Sequence, residues 1–163
     1  MFLQEVFPSE CIKVNLEAED KDEAFEELVD LFCQSHESAK TGVAHAREEL
    51  LTAIKERESK MSTGIHKGIA VPHGSTNAVD SVCGVVGISR TGIDYDALDG
   101  EPVYVLFMIF APNEEKETHL RILKRMAELL EDTQFYSDMR AQKDSQGVYR
   151  VICNYENMQA ALS

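Results

Sequence analysis

The sequence has no tryptophan, four prolines, four cysteines and far fewer basic than acidic residues. Sixteen lysines and arginines oppose 29 aspartates and glutamates, so the formal charge at pH 7 is −13. Because like charges repel, this balance disfavours binding to nucleic acid or to anionic membrane surfaces. A basic protein partner would instead be attracted. A chain of 163 residues fits one domain, and we expect no second one.

The cysteines Cys11, Cys33, Cys83 and Cys153 form no CxxC pair and have no nearby histidine at ligand spacing. This spacing argues against a disulfide framework and against structural zinc. Cys33 and Cys83 lie within apolar patterns, which favours small buried thiols.

Long apolar runs are also lacking. The run 103–111 is far shorter than the roughly 20 residues that span a bilayer. The N-terminus carries Gln4 and Glu5 and no basic stretch, so it lacks the layout of a secretory signal. We therefore expect a cytoplasmic protein without direct membrane insertion.

Apolar residues recur at helical spacing in three segments. The first helix is opened by Asp20 or Asp22, the second follows Gly42 and ends near 57–58, and the third follows Pro112. Their apolar positions are, in chain order, Ala24, Phe25, Leu28, Val29 and Phe32; Val43, Ala46, Leu50, Leu51 and Ile54; and Leu120, Leu123, Met126, Ala127 and Leu130. Two short helices are predicted over 135–140 and 146–152.

Strands are predicted over 12–16, where apolar and polar residues alternate, and over the apolar runs 68–71, 83–89 and 103–111. The polar segment 59–67, broken by Gly64, reads as a loop. So does 93–102, with a tight turn at Asp99-Gly100. Helices before, between and after the strands indicate a single α/β domain whose mixed sheet is covered by helices on both faces, with the strand order left open.

One histidine stands out within the sequence GIAVPHG at 68–74. Pro72 fixes its own φ and keeps Val71 extended. Gly74 has no Cβ, so the backbone after His73 can bend sharply and a ligand can come close. We expect the ring of His73 to point from a strand end into a cleft. The alternative is a structural histidine that is hydrogen-bonded at a strand end.

Two further residues gain interest beside His73. Thr118 is a reasonable N-cap for the third helix, which places His119 in its first turn, where the helix dipole favours a bound anion and a neutral ring. Arg57, near the end of the second helix, has a guanidinium that matches a phosphoryl group. Each also has a simpler interpretation, His119 as an exposed polar residue and Arg57 as a solvated cation that complements the helix dipole.

Other classes of site fit less well. A metal hydrolase using His66, His73 and His119 is disfavoured because His66 and His73 lie off the i, i+4 helical spacing and no acidic general base accompanies them. No nucleophile-elbow pattern supports a serine hydrolase. The acidic residues of 19–27 indicate either a solvated helix face or a docking surface for a basic partner.

The segment 57–74, RESKMSTGIHKGIAVPHG, resembles the active-site segment of the enzyme IIA components of the bacterial phosphoenolpyruvate-dependent phosphotransferase system. The likeness is to the mannitol/fructose family and most of all to its nitrogen-regulatory branch. The residues 94–102 resemble the family's loop between strands, and KETHL at 116–120 resembles the segment with its second histidine. The likeness covers nearly the whole chain, so we expect 1–163 to be one IIA type-2 domain.

This resemblance implies the chemistry of the site. His73 would be phosphorylated on a ring nitrogen by a histidine-containing phosphocarrier protein, His119 would hydrogen-bond the phosphoryl group, and Arg57 would neutralise its charge. Thr63 and Gly74 are further candidate binding residues. No metal or organic cofactor is implied.

The segment departs from the family pattern at Ser59-Lys60-Met61 and at His66-Lys67. His66 and Lys67 add a titratable group and a cation close to His73. They either strengthen phosphate affinity, or alter the choice of carrier, or face solvent. His36 and His45 match nothing in the motif and are predicted at the surface.

The function predicted from these residues is a phosphoryl-accepting regulatory protein that acts by binding protein targets. It is a phosphotransferase component rather than a metabolic catalyst. One alternative is a free-standing fructose- or mannitol-type sugar IIA that passes phosphate to a IIB domain. The other is a module that binds without transferring phosphate.

Overall fold

The computed structural model describes residues 1–36 and 46–162. The positions predicted for Gly42, Val43 and His45 lie outside them. The helices are α1 (Leu3–Val6), α2 (Lys21–Ser35), α3 (Arg47–Lys60), α4 (Lys116–Leu130), α5 (Thr133–Ala141) and α6 (Ser145–Leu162). The strands are β1 (Ile12–Lys13), β2 (Gly64–His66), β3 (Ile69–Ala70), β4 (His73–Ser75), β5 (Cys83–Ile93) and β6 (Val103–Ala111).

The strands form one mixed sheet in the order β1-β5-β6-β3-β2, and β4 pairs with β6 beyond β3. β5 and β6 are antiparallel, with Val85 opposite Met108. β1 runs parallel to β5, and both β3 and β4 run parallel to β6. β6 therefore organises the sheet, and the predicted mixed α/β fold is confirmed.

Helices cover both faces of the sheet, which explains why β6 is apolar at nearly every position. Side chains alternate between faces along a strand. Val105, Phe107 and Ile109 pack in a core with residues of α1, α4, α5 and α6. Leu106 and Phe110 pack in a second core with residues of α2 and α3.

The strand predictions need three corrections. β1 is shorter than the predicted 12–16, although the amide of Leu16 still donates to the carbonyl of Ile88 at 3.0 Å. β5 continues past Ser89 to Ile93. The predicted loop 59–67 is wrong, because α3 continues to Lys60 and Gly64–His66 pairs with β3 as a strand.

The helix predictions also need correction. α4 begins at Lys116 after the N-cap Glu115, so Thr118 lies inside the helix and is not its cap. Leu120 is 67% exposed, and the buried face of α4 carries His119, Ile122, Met126 and Leu129. The segment predicted as a short helix over 146–152 is the start of α6, which has 18 residues.

The N-terminal helix α1 was not predicted, and one distant carboxylate holds it. Glu156 of α6 is 1% exposed and accepts hydrogen bonds from the backbone amides of Leu3 at 2.5 Å and Gln4 at 3.1 Å. Such N-terminal amides have no partner within their own helix, so the carboxylate satisfies them and fixes α1 to α6.

The cysteines follow the predicted burial in part. Cys33 is buried, whereas Cys83 is half-buried, and burial raises the pKa of the Cys83 thiol to about 12. Within residues 1–36 and 46–162, no helix is long and apolar enough to cross a membrane.

Candidate functional site

His73 lies at the start of β4, where the strand pairs with β6 opposite Ile109. Its Nδ1 lies 2.7 Å from the carbonyl oxygen of Val71. Because a carbonyl oxygen only accepts, this contact requires the proton on Nδ1 and leaves the lone pair on Nε2. The half-buried ring lines a cavity of about 240 Å³, so the prediction that His73 points into a cleft is confirmed.

His119 meets His73 edge to face, with ring centroids 5.6 Å apart and an interplanar angle of 78°. It is the fourth residue of α4 and is 9% exposed. Its Nε2 is buried and has no hydrogen-bond partner among the described residues. A buried polar atom without a partner costs free energy, so this nitrogen is available for a group that enters the site.

Arg57, in the last turn of α3, also lines the cavity. One of its guanidinium nitrogens donates to the carbonyl of Met61 at 3.0 Å. That bond holds the half-buried side chain near its own helix end, while its other N–H groups can serve an oxyanion. The structure therefore brings Arg57 and His73 to one cavity and His119 against His73.

The electrostatics keep both rings neutral. Burial lowers the pKa of His73, Arg57 lowers it further, and the Val71 bond and Glu58 oppose this only in part. Burial, and then the neighbouring His73, lower the pKa of His119. Near neutral pH, both rings are therefore neutral, and Nε2 of His73 carries a lone pair.

The walls of the cavity are mostly apolar, with Val71, Met61 and Leu98 beside the polar groups and Leu123, Met126, Ala127 and Leu130 from α4. Met61 and Leu98 at its rim are 60% and 62% exposed. Apolar walls exclude water and so strengthen electrostatic interactions within the cavity. In the described part of the chain, no three His, Cys, Asp or Glu residues are placed to hold a metal ion.

Thr63 and Gly74 have packing and hydrogen-bonding roles that the sequence did not indicate. Thr63 lines the same cavity as His73 and Arg57, but it is 3% exposed and its hydroxyl is bonded to Glu58 and Tyr95. Gly74 continues β4 as a strand, so the sharp bend expected there is absent. A Cβ at Gly74 would lie 2.8 Å from the carbonyl oxygen of Ala53 in α3, so the group that approaches Gly74 is this helix.

Lys67 is not brought to the His73 cavity. It lines a second cavity of about 390 Å³ with Tyr104, Tyr136 and Arg140. Its backbone has φ 38°, and its amide donates to Asp99 at 2.9 Å. The side chain of His66 lies outside the described part of the structure. His36 is half-buried rather than fully at the surface, with Nδ1 2.8 Å from the carbonyl oxygen of Phe32.

The sequence analysis missed Glu58 and Tyr95. Glu58 is 7% exposed and pairs with Lys21 at 3.2 Å. A glutamate next to Arg57 in a polar stretch of sequence gives no indication that its side chain is buried. Tyr95 lies in a predicted loop, yet it is fully buried. Only the fold brings these residues together behind the cavity.

The chain is similar in sequence and in structure to known proteins. The family model "Phosphoenolpyruvate-dependent sugar phosphotransferase system, EIIA 2" matches residues 5–155. The chain is 37% identical over 130 residues to the "PTS system fructose-specific EIIABC component" of Bacillus subtilis (strain 168). The aligned region covers 80% of this chain but only 20% of that longer protein.

The chain is also 30% identical over 157 residues to the "Nitrogen regulatory protein" of Escherichia coli (strain K12), covering 94% of this chain and 91% of that protein. Among solved structures, the nitrogen regulatory protein IIA-Ntr from Neisseria meningitidis superposes with a TM-score of 0.80 at 25% identity, over 92% of this chain and 98% of that one. A family match over most of the chain, with relatives of both the regulatory and the fructose-specific kind, shows that the protein belongs to the EIIA 2 family of the phosphoenolpyruvate-dependent sugar phosphotransferase system.

Proposed function

We propose that the protein accepts a phosphoryl group on Nε2 of His73 from a histidine-containing phosphocarrier protein, and that it signals its phosphorylation state by binding other proteins. One observation carries the proposal. The hydrogen bond from Nδ1 to the Val71 carbonyl leaves Nε2 as the nucleophilic nitrogen, in a cavity that Arg57 also lines.

The transfer is a nucleophilic displacement at phosphorus. The lone pair of His73 Nε2 forms the new N–P bond as the N–P bond of the donor breaks. The electron pair of the broken bond returns to the donor's imidazole. The proton stays on His73 Nδ1, which donates it in a hydrogen bond to the Val71 carbonyl oxygen, and this bond stabilises the positive charge that develops on the ring.

Arg57 and His119 stabilise the transferred group. The guanidinium of Arg57 offers N–H donors and a full positive charge to the phosphoryl oxygens. His119, neutral and with its unpartnered Nε2 protonated, donates one hydrogen bond. Donors that are fixed in a cavity with apolar walls stabilise developing charge without needing to reorganise.

A regulatory role is supported by the 30% identity to a nitrogen regulatory protein along 91% of that protein's length. A second candidate is a sugar-specific IIA that passes its phosphoryl group to a IIB domain. It is favoured by the 37% identity to a fructose-specific EIIABC component. Both candidates use the same phosphohistidine and differ in its acceptor.

The test is incubation with phosphoenolpyruvate, enzyme I and a phosphocarrier, followed by intact mass measurement under alkaline conditions. The wild type and a His36→Gln control are expected to gain one phosphoryl group, and His73→Ala none. Adding a fructose or mannitol IIB domain then separates the two candidates, because a sugar IIA transfers its phosphoryl group and a regulator retains it. No gain with any carrier would favour a module that only binds.

A further inference from the structure

A largely buried polar cluster of Glu58, Thr63, Tyr95 and Lys21 adjoins the His73 cavity, which Thr63 itself lines. The Glu58 carboxylate accepts hydrogen bonds from the Thr63 amide at 3.0 Å and from the Thr63 hydroxyl at 2.7 Å. Lys21 of α2 forms an ion pair with the same carboxylate at 3.2 Å, and its ammonium lies 4.7 Å from the centroid of the Tyr95 ring.

The direction of each hydrogen bond in the cluster follows from chemistry. The Thr63 hydroxyl has one proton, which it gives to Glu58, so in the 2.8 Å contact with Tyr95 the phenol is the donor. Burial, together with the negative charge of Glu58, raises the pKa of Tyr95 and keeps the phenol protonated. Tyr95 therefore donates to Thr63, and Thr63 donates to Glu58.

The backbone connects this cluster to the reactive histidine. The Thr63 carbonyl accepts the amide of Val71 at 3.0 Å. The Val71 carbonyl in turn accepts Nδ1 of His73 at 2.7 Å. Pro72 fixes its own φ between Val71 and His73, and its carbonyl accepts the amide of Ile109 at 2.9 Å. The position of Thr63 thus determines where the Val71 carbonyl meets the ring.

Helix stability does not explain a glutamate at this position. Glu58 lies in the last turn of α3, where the helix dipole disfavours an anion. A carboxylate that is 7% exposed also loses most of its hydration. Three donors directed at it offset that cost, and two of them belong to Thr63.

We propose that Glu58 is a positioning residue for His73: its carboxylate holds Thr63, and through Val71 it keeps the proton on Nδ1 and Nε2 open to the cavity. As a role in phosphoryl acceptance, this rests on the proposed function. As a claim about the His73 ring, it can be tested without any phosphoryl donor.

The test compares Glu58→Gln with Glu56→Gln, the same change at an exposed position of the same helix. A glutamine has one acceptor oxygen and an NH₂ donor, so it cannot accept both the amide and the hydroxyl of Thr63 on separate oxygens. Nitrogen-15 NMR of the histidine rings in the unphosphorylated protein reports which nitrogen of His73 carries the proton.

We expect the wild type and Glu56→Gln to hold His73 in the Nδ1–H form, and Glu58→Gln to populate the Nε2–H form. We also expect Glu58→Gln to slow phosphoryl transfer at saturating donor by about tenfold to a hundredfold, since small misplacements of a reacting group cost up to this much. Donor affinity should change by less than about twofold, because Glu58 is buried and an orienting role appears in the rate rather than in binding.

A Glu58→Gln protein with the wild-type tautomer would overturn the inference, as would a wild-type transfer rate. If Glu58→Gln does not fold, Thr63→Val removes the hydroxyl that donates to Glu58 and is expected to shift the tautomer in the same direction; an unchanged tautomer in this variant overturns the inference equally. Failure of the wild type to accept phosphate would refute the proposed function and leave the tautomer comparison intact.

Discussion

At the residue scale, the two histidine rings in contact at the site have lowered pKa values because burial disfavours their charged forms. A histidine whose pKa is lower in the folded chain binds fewer protons there than in the unfolded chain. The unfolded value is about 6.5. Stability from His73 and His119 is therefore present above this pH and is lost as the pH falls below it.

We expect the free energy of unfolding, measured by denaturant titration, to fall as the pH is lowered from about 7 to about 5, because the histidines of the unfolded chain take up protons in this range. A double variant, His73→Gln with His119→Gln, should show a shallower pH dependence because it has lost both groups. Equal slopes for the two proteins would contradict the lowered pKa values.

Because Gly74 has no Cβ, β4 can pack closely against α3 next to His73. A Cβ there would lie 2.8 Å from the backbone oxygen and 3.0 Å from the carbonyl carbon of Ala53. Gly74→Ala must push β4 away from α3, which we expect to cost about 1–3 kcal/mol of unfolding free energy, as overpacking does elsewhere. Chemical denaturation measures this loss.

Gly100→Ala is the matched control for this change. Gly100 has φ 74°, and nothing lies within 4 Å of an added Cβ. Its substitution costs only the backbone strain, of order 1 kcal/mol. A Gly74→Ala protein as stable as the wild type would show that β4 and α3 separate freely.

Sequence reasoning succeeded at His73 and failed just behind it, for a physical reason. Pro72 acts locally, because it fixes its own φ and keeps the residue before it extended, so the sequence indicates that the ring is presented. Gly74 instead packs against α3, a contact that the sequence does not indicate. Thr63 and Tyr95 are 32 residues apart, and their hydrogen bond exists only once the sheet has formed. The orientation of the ring depends on such nonlocal contacts.

At the scale of elements, the sequence offers Asp20 or Asp22 as the start of α2, and the structure shows that Asp20 is the N-cap. Asp20 accepts a hydrogen bond from the amide of Glu23 at 2.9 Å. We expect Asp20→Ala to lower the unfolding free energy by about 0.5–2 kcal/mol, the usual cost of a lost N-cap. Asp22→Ala, in the first turn of the same helix, should cost less because only a dipole interaction is lost, about 0.3–1 kcal/mol. Equal losses in thermal or denaturant unfolding would refute the capping role.

The elements that the sequence predicted well have strong periodicity or long apolar runs, as α2 and β6 do. The sequence does not predict β2, because the segment 59–67 is polar and contains Gly64, which is typical of a loop. In the structure, a Cβ at Gly64 would lie 2.7 Å from Cβ of Ala97. The glycine therefore permits close packing within a strand.

α4 illustrates a second limit of pattern analysis. The apolar stripe predicted for the core includes Leu123, Ala127 and Leu130, which line the His73 cavity, together with Met126. A core face and the wall of a cleft require the same helical spacing of apolar residues, so periodicity alone does not distinguish them.

At the scale of the whole molecule, some of the acidic side chains form hydrogen bonds and ion pairs within the protein. Glu27 accepts hydrogen bonds from the amides of Glu17 and Ala18 and pairs with Lys13 at 2.7 Å. Burial alone would raise the pKa of Glu27, but these partners outweigh it and lower the pKa. Arg47 pairs with Asp30 at 2.6 Å. Among the acidic residues of 19–27, Glu27 is half-buried and the others are exposed, as the predicted solvated helix face requires.

The remaining acids repel one another, since the net charge is −13. Salt screens exposed charges over a Debye length of about 10 Å at 0.1 M. We expect the thermal midpoint to rise between low and moderate ionic strength. A midpoint that stays flat or falls with added salt would mean that ion pairs such as those of Arg47 and Lys13 outweigh the repulsion.

The assignment of the phosphoryl group to one nitrogen of one histidine unites the fold, the hydrogen bonding and the proposed chemistry. The most direct measurement is combined nitrogen-15 and phosphorus-31 NMR of histidine-labelled protein after phosphorylation by the carrier. We predict phosphorus on Nε2 of His73, with Nδ1 still protonated and bonded to the Val71 carbonyl. Phosphorus on Nδ1 of His73, or on another residue, would contradict the proposed chemistry.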